Sequence, residues 1–167
     1  MMRLNILKFF LSYITAGLLL ALFSGCGLED LADYSSPGAS YESYLRHAKT
    51  LRINADHRSY RRAIRCFTEE DRNWFESNFT LLKKLDGVEI EEDVYRHLYL
   101  TKRKAYIFGR AVVPRGPDLW AGYEIEMIDE ENAVLSVEGY DEKIDMVKTS
   151  RGWQMRGLFG IRDKVQK

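Results

Sequence analysis

Two thiols, three imidazoles and a run of arginines are the side chains of this sequence with the most chemistry in them. A metal site needs several ligands converging at a fixed spacing. His47 and His57 lie ten residues apart across an expected helix end, His97 stands far downstream, and no HxxxH, HxH or Cys–His spacing occurs. The sequence therefore calls for no metal and no cofactor. It also has no Gly-x-Ser-x-Gly elbow and no glycine-rich phosphate loop. Cys66 sits between Arg65 and Phe67 in an amphipathic stretch, where burial is the favoured reading and reactivity the alternative. Arg58, Arg61, Arg62 and Arg65 form the densest basic cluster. They suit anionic headgroups or envelope polymers, or else a solvated helix face paired with Glu69 and Glu70.

The charge balance excludes one partner class. Lys+Arg and Asp+Glu number 25 each over 167 residues, and a near-neutral domain has no electrostatic reason to bind nucleic acid. Apolar residues make up 46% and aromatic residues 13%, enough to build a packed core.

The N-terminus carries the clearest pattern. Met1 to Lys8 are short and basic, and Phe9 to Phe23 run without a charge. That run is short for a stable membrane span, and Ser24 and Gly25 follow it, as in a cleavable export signal. Leu22-Phe23-Ser24-Gly25-Cys26 resembles the lipobox of bacterial lipoproteins, with Phe23 where that family favours Leu. The resemblance implies a diacylglyceryl group on Cys26, cleavage before it, and a membrane anchor of two or three acyl chains. It leaves Cys66 without an intramolecular partner. Gly27 is not the Asp that retains such proteins in the inner membrane, which favours an outer-membrane address in a Gram-negative host, facing the periplasm or exterior.

Residues 26–40 read as a flexible tether, from their Ser, Gly and Pro content. Residues 41–160 then read as one domain and 161–167 as a tail. A first helix is expected from about Pro37–Ser40 to Asn54, with Tyr41, Tyr44, Leu45, Ala48 and Leu51 on one stripe. A second, short helix carries Tyr60, Ala63, Ile64 and Phe67. Thr68 followed by Glu69, Glu70 and Asp71 is a strong start for a third, expected to stop near Asp86-Gly87.

After Gly87 the spacing predicts strands. Tyr95, His97 and Tyr99 alternate with Arg96, Leu98 and Leu100, favouring a strand in 88–101. Ala105, Ile107, Gly109 and Ala111 alternate in 104–113 and suggest another. Further strands are expected at 121–127, 133–140, 142–148 and 153–158, joined by turns too short for parallel crossovers. Alternation places Glu124 and Glu126 on the outer face.

Helices followed by a meander predict an α+β fold, with two or three N-terminal helices on a curved, mainly antiparallel sheet of four to six strands. The order resembles the NTF2-like (cystatin-like) superfamily. The echoes are Tyr60-Arg61-Arg62-Ala63-Ile64-Arg65-Cys66-Phe67-Thr68-Glu69-Glu70-Asp71 and the closing Gly152-Trp153-Gln154-Met155. Enzymes of that superfamily place an acid or imidazole base in a cone beside a tyrosine. The resemblance therefore nominates His97, Tyr99, Tyr123 and Asp145 as pocket residues, with no catalytic set assigned. Two functions follow as expectations. One is a lipid-anchored module holding a small apolar ligand or an envelope protein. The other is an envelope enzyme with an acid–base pair in the cone.

Overall fold

A computed structural model describes residues 32–165. The expected signal peptide, Cys26 and the first part of the tether lie outside the described residues, as do the last two positions. The fold is α+β, with helices against a four-stranded open antiparallel sheet.

The three N-terminal helices form where the apolar stripes and caps predict them. Helix α1 spans Pro37–Ile53. Ser36 caps it by accepting from Ala39 N at 3.1 Å, and Pro37 occupies the first turn, where its missing N–H costs nothing. Helix α2 spans His57–Arg65 and is capped by Asp56, which accepts from Ser59 N at 2.7 Å. Helix α3 spans Glu69–Asn78. Its N-terminus holds Thr68 as cap and three acids in the first turn, which suit the positive end of the helix dipole. It stops earlier than expected; the chain breaks at Phe79 and resumes as a 3-10 turn, Leu81–Lys84.

The next segment corrects the sequence reading. Neither strand expected within 88–113 exists. Helix α4 spans Glu92–His97 and helix α5 spans Leu100–Ile107, followed by a π-helical turn, Phe108–Val112, and a 3-10 turn, Val113–Arg115. Residues 105–109 are all buried, so no polar stripe marks the helical period. Gly109 lies where a Cβ would stand 2.4 Å from the Leu51 carbonyl oxygen. Only glycine lets the π turn press this closely on α1.

Strands β1 (Tyr123–Met127), β2 (Asn132–Val137), β3 (Ile144–Thr149) and β4 (Gly152–Met155) form a meander in sequence order. One face buries Ala133, Leu135, Val137, Ile144, Met146 and Met155. Glu124, Glu126, Ser136 and Asp145 are exposed on the other, as the alternation requires.

The β4 edge is closed. Met155 N donates to the Cys66 carbonyl at 2.7 Å, and Thr68 N to the Met155 carbonyl at 2.9 Å. Trp153 N donates to the Tyr34 carbonyl at 2.9 Å. Residues 32–40 are therefore part of the fold, not free tether; Asp33 N also donates to Ser43 Oγ at 2.8 Å. Most of the expected C-terminal tail is likewise folded, as the short helix α6, Ile161–Val165, with Ile161 buried.

Candidate functional site

The space between helices and sheet, where a cone pocket is expected, is filled by aromatic rings. Phe67 packs edge-on against Tyr44, Phe108 and Phe159, with ring centroids 5.5, 6.2 and 5.4 Å away. Phe75 packs on Phe108 at 5.3 Å. Edge-to-face packing at these distances is favourable beyond simple burial.

The four nominated residues stand apart. His97 closes α4, exposed, with Nδ1 2.6 Å from the Asp93 carbonyl oxygen. Tyr99 is exposed just before α5, with Lys102 Nζ 5.5 Å from its ring centre. Neither lies on a strand, because the 88–113 segment is helical. Tyr123 begins β1, half-buried, its ring edge-on to Tyr41 at 5.1 Å. Its hydroxyl donates to Glu42 Oε1 at 2.7 Å, and burial together with that carboxylate pushes its pKa up to about 12. Asp145 is exposed on β3, on the face away from the aromatic core. None of the described hydrogen bonds joins any two of the four.

Cys66 is buried, and its thiol donates to the Arg62 carbonyl at 3.5 Å. Burial pushes the thiol pKa up to about 12, so the thiolate needed for reactivity is suppressed at neutral pH. Among the described residues no group of three or more His, Cys, Asp or Glu could hold a metal ion. No helix of the described residues is long and apolar enough to cross a membrane.

Arg58, Arg61 and Arg65 are exposed on α2. The acids expected to pair with the cluster are engaged elsewhere, Glu69 with Arg72 at 3.9 Å and Glu70 with Arg162 at 2.8 Å. Where the chain enters the fold, the Tyr34 carbonyl abuts Gly152 and receives the Trp153 N–H at 2.9 Å. Arg72 is mostly buried, its guanidinium donating to the Phe67 carbonyl at 2.9 Å.

Two ionic groupings escaped sequence reasoning, because their members are distant in the chain. Glu76 accepts from the Tyr60 hydroxyl and from Lys104 Nζ, joining α3, α2 and α5. Asp71, fully buried, accepts from Thr68 Oγ1 at 2.6 Å, Gly157 N at 2.9 Å and Arg162 Nη1 at 3.3 Å. The only sequence signal for it was the acidic helix start, which does not foretell Arg162.

The open surfaces lie elsewhere. A shallow groove of about 490 Å³ runs past the end of α1, lined by Ile53, Val94, Leu98 and Tyr106, with Lys102 and Arg110 on its rim. A second hollow, about 430 Å³, is framed by Gly122–Glu124 of the β1 end and Ser136–Glu138 of the β2 end. Beside it β1 exposes Ile125, 38% exposed, and Met127, 52% exposed, and Ile128 just past its end is 58% exposed. Trp120 is 76% exposed, with Lys49 Nζ 3.5 Å from its ring centre.

No family model matches the chain, and no curated protein or solved structure matches it.

Proposed function

We propose that the chain is a cell-envelope lipoprotein, anchored through acyl chains on Cys26, whose folded part is a non-catalytic, NTF2-like binding module for another envelope protein or an apolar ligand. The observation that carries the binding role is the distribution of apolar groups. The interior is closed by Phe67, Phe75, Phe108 and Phe159, whereas Ile125, Met127, Ile128 and Trp120 stand in solvent. Large apolar side chains left in solvent mark recognition surfaces, and Ile125 and Met127 lie together on one face of β1. His97, Tyr99, Tyr123 and Asp145 are spread over separate elements, which weighs towards binding rather than acid–base catalysis.

The entry of the chain supports a membrane-proximal position. Asp33, whose N–H donates to Ser43 Oγ, already belongs to the fold, seven residues past Cys26, a reach of about 23 Å at full extension. Arg151 and Arg65 are exposed there, one beside Gly152, which abuts the Tyr34 carbonyl, the other beside Cys66, which pairs with β4, so phosphate headgroups would meet them.

Replacing Cys26 by Ala tests the anchor. The wild-type chain is expected in the membrane fraction, with an intact mass lacking residues 1–25 and carrying added acyl groups. The variant is expected in the aqueous fraction. Recovery of the wild-type protein with a free, unacylated Cys26 would overturn the reading.

A further inference from the structure

The outer edge of β1 carries an inference that rests on the binding-module reading and goes beyond it. β1 ends the sheet, with β2 on one side only. The Gly122 carbonyl accepts from Glu138 N at 2.9 Å, and Ile128 N donates to the Asn132 carbonyl at 3.0 Å. In the observed register, Ile125 faces Leu135, so Glu124 and Glu126 point their peptide groups at β2. Tyr123, Ile125 and Met127 then direct theirs outward. The β4 edge is covered by backbone from the 34 and 66–68 segments; β1 has no such cover among the described strands.

We propose that this edge is a strand-addition site for an extended segment of another protein in which apolar residues alternate with Lys or Arg. Three outward peptide units supply the ladder, and side chains supply the selectivity. On the core-side face Ile125 and Met127 would take the partner's apolar residues. On the outer face Glu124 and Glu126 are exposed, and Asp129, Glu130 and Glu131 continue the negative charge into the hairpin. Lys143 approaches only one of these acids, Glu126, at 4.0 Å with both side chains in solvent. A basic strand would meet opposite charges there.

A second copy of this chain fits the edge poorly. Antiparallel pairing of β1 with itself, centred on Ile125, sets Glu124 against Glu126 of the other copy twice over. Like charges directly opposite each other are destabilising. The acids thus guard the edge against self-association while leaving it open to a cationic strand.

Hydrogen exchange of the full chain in non-ionic detergent tests the site, with a synthetic octapeptide of alternating Val and Lys as the probe. We expect at least tenfold slower exchange within residues 123–127, and less effect from a peptide of alternating Val and Glu. Ile125→Pro removes one outward N–H without touching the β1–β2 ladder, and should abolish the protection. The double variant Glu124→Lys, Glu126→Lys should reverse the peptide preference, a readout independent of whether the proline variant folds. No protection at 123–127, or equal protection by both peptides, overturns the proposal. So does protection that needs no peptide and grows with protein concentration, which would assign the edge to a second copy. Membrane fractionation of the Cys26→Ala variant reads the anchor separately, so either failure can be recognised alone.

Discussion

Arg162, in the closing helix, donates to the buried carboxylate of Asp71, at the start of α3, across 3.3 Å and 91 residues of chain. Asp71 is fully buried while Arg162 keeps about a quarter of its side chain in solvent. With Thr68 and Gly157 also donating, the carboxylate fastens three segments to one another. Asp71→Ala removes the acceptor of all three, leaves Gly157 N unsatisfied, and should cost about 2–4 kcal/mol, discounted for the exposure of Arg162. Urea unfolding measures this directly. A midpoint unchanged from wild type would mean that Asp71 holds nothing.

Gly152 has φ near +97°, and a Cβ there would lie 2.4 Å from the Tyr34 carbonyl oxygen. That oxygen receives the Trp153 N–H, so the two backbones are already at hydrogen-bond distance. Gly152→Ala is therefore expected to destabilise by about 1–3 kcal/mol, through both the positive φ and the collision. Amide exchange should localise the loss to Trp153 and to residues 33–36. Uniform loss across the sheet would contradict this account.

Alkaline stability follows from the buried acids of the core. Burial raises the Cys66 thiol from 9.0 to about 12 and the Tyr34 hydroxyl from 10.0 to about 12. Between the unfolded and folded values the unfolded chain has released a proton that the native chain retains, so stability falls as pH rises. Their contribution is intact below pH 9 and is lost progressively from there to about pH 12. For the buried thiol the loss approaches about 1.4 kcal/mol per pH unit within its window, and for the half-buried Tyr34 hydroxyl it is smaller. Cys66→Ala should flatten the fall between pH 9 and 10, where the thiol is the first of the two to titrate. Parallel stability profiles for the two proteins across that interval would rule the thiol out.

The helices and the meander were legible in the sequence for local reasons. Ser36, Asp56 and Thr68 are short-range caps, and the Tyr41–Leu51 stripe repeats at the helical period. The 88–113 stretch was not legible. Its apolar residues are buried on several sides at once, so Ala105, Ile107, Gly109 and Ala111 gave a period of two by coincidence. What fixes that stretch as helix is tertiary: α2 packs on α5, and the π turn closes on Leu51. The nominated pocket depended on strands there, and once His97 and Tyr99 moved to helices nothing aligned them with Tyr123 or Asp145. Alternation placed Glu124 and Glu126 outside, as found, without showing how far the opposite face of β1 is covered. The exposure of Ile125 and Met127 depends on where the helical layer stops, which no local pattern encodes.

Leu158 and Phe159 have φ values of 46° and 55°, left-handed backbone that side chains with a Cβ adopt at a cost of about 1–2 kcal/mol each. That tension is offset while the Phe159 ring lies among Tyr44, Phe67 and Tyr140. The stretch that leads from β4 to Arg162 is thus held in a shape its own backbone does not favour, and an aromatic anchor, rather than local preference, keeps it there.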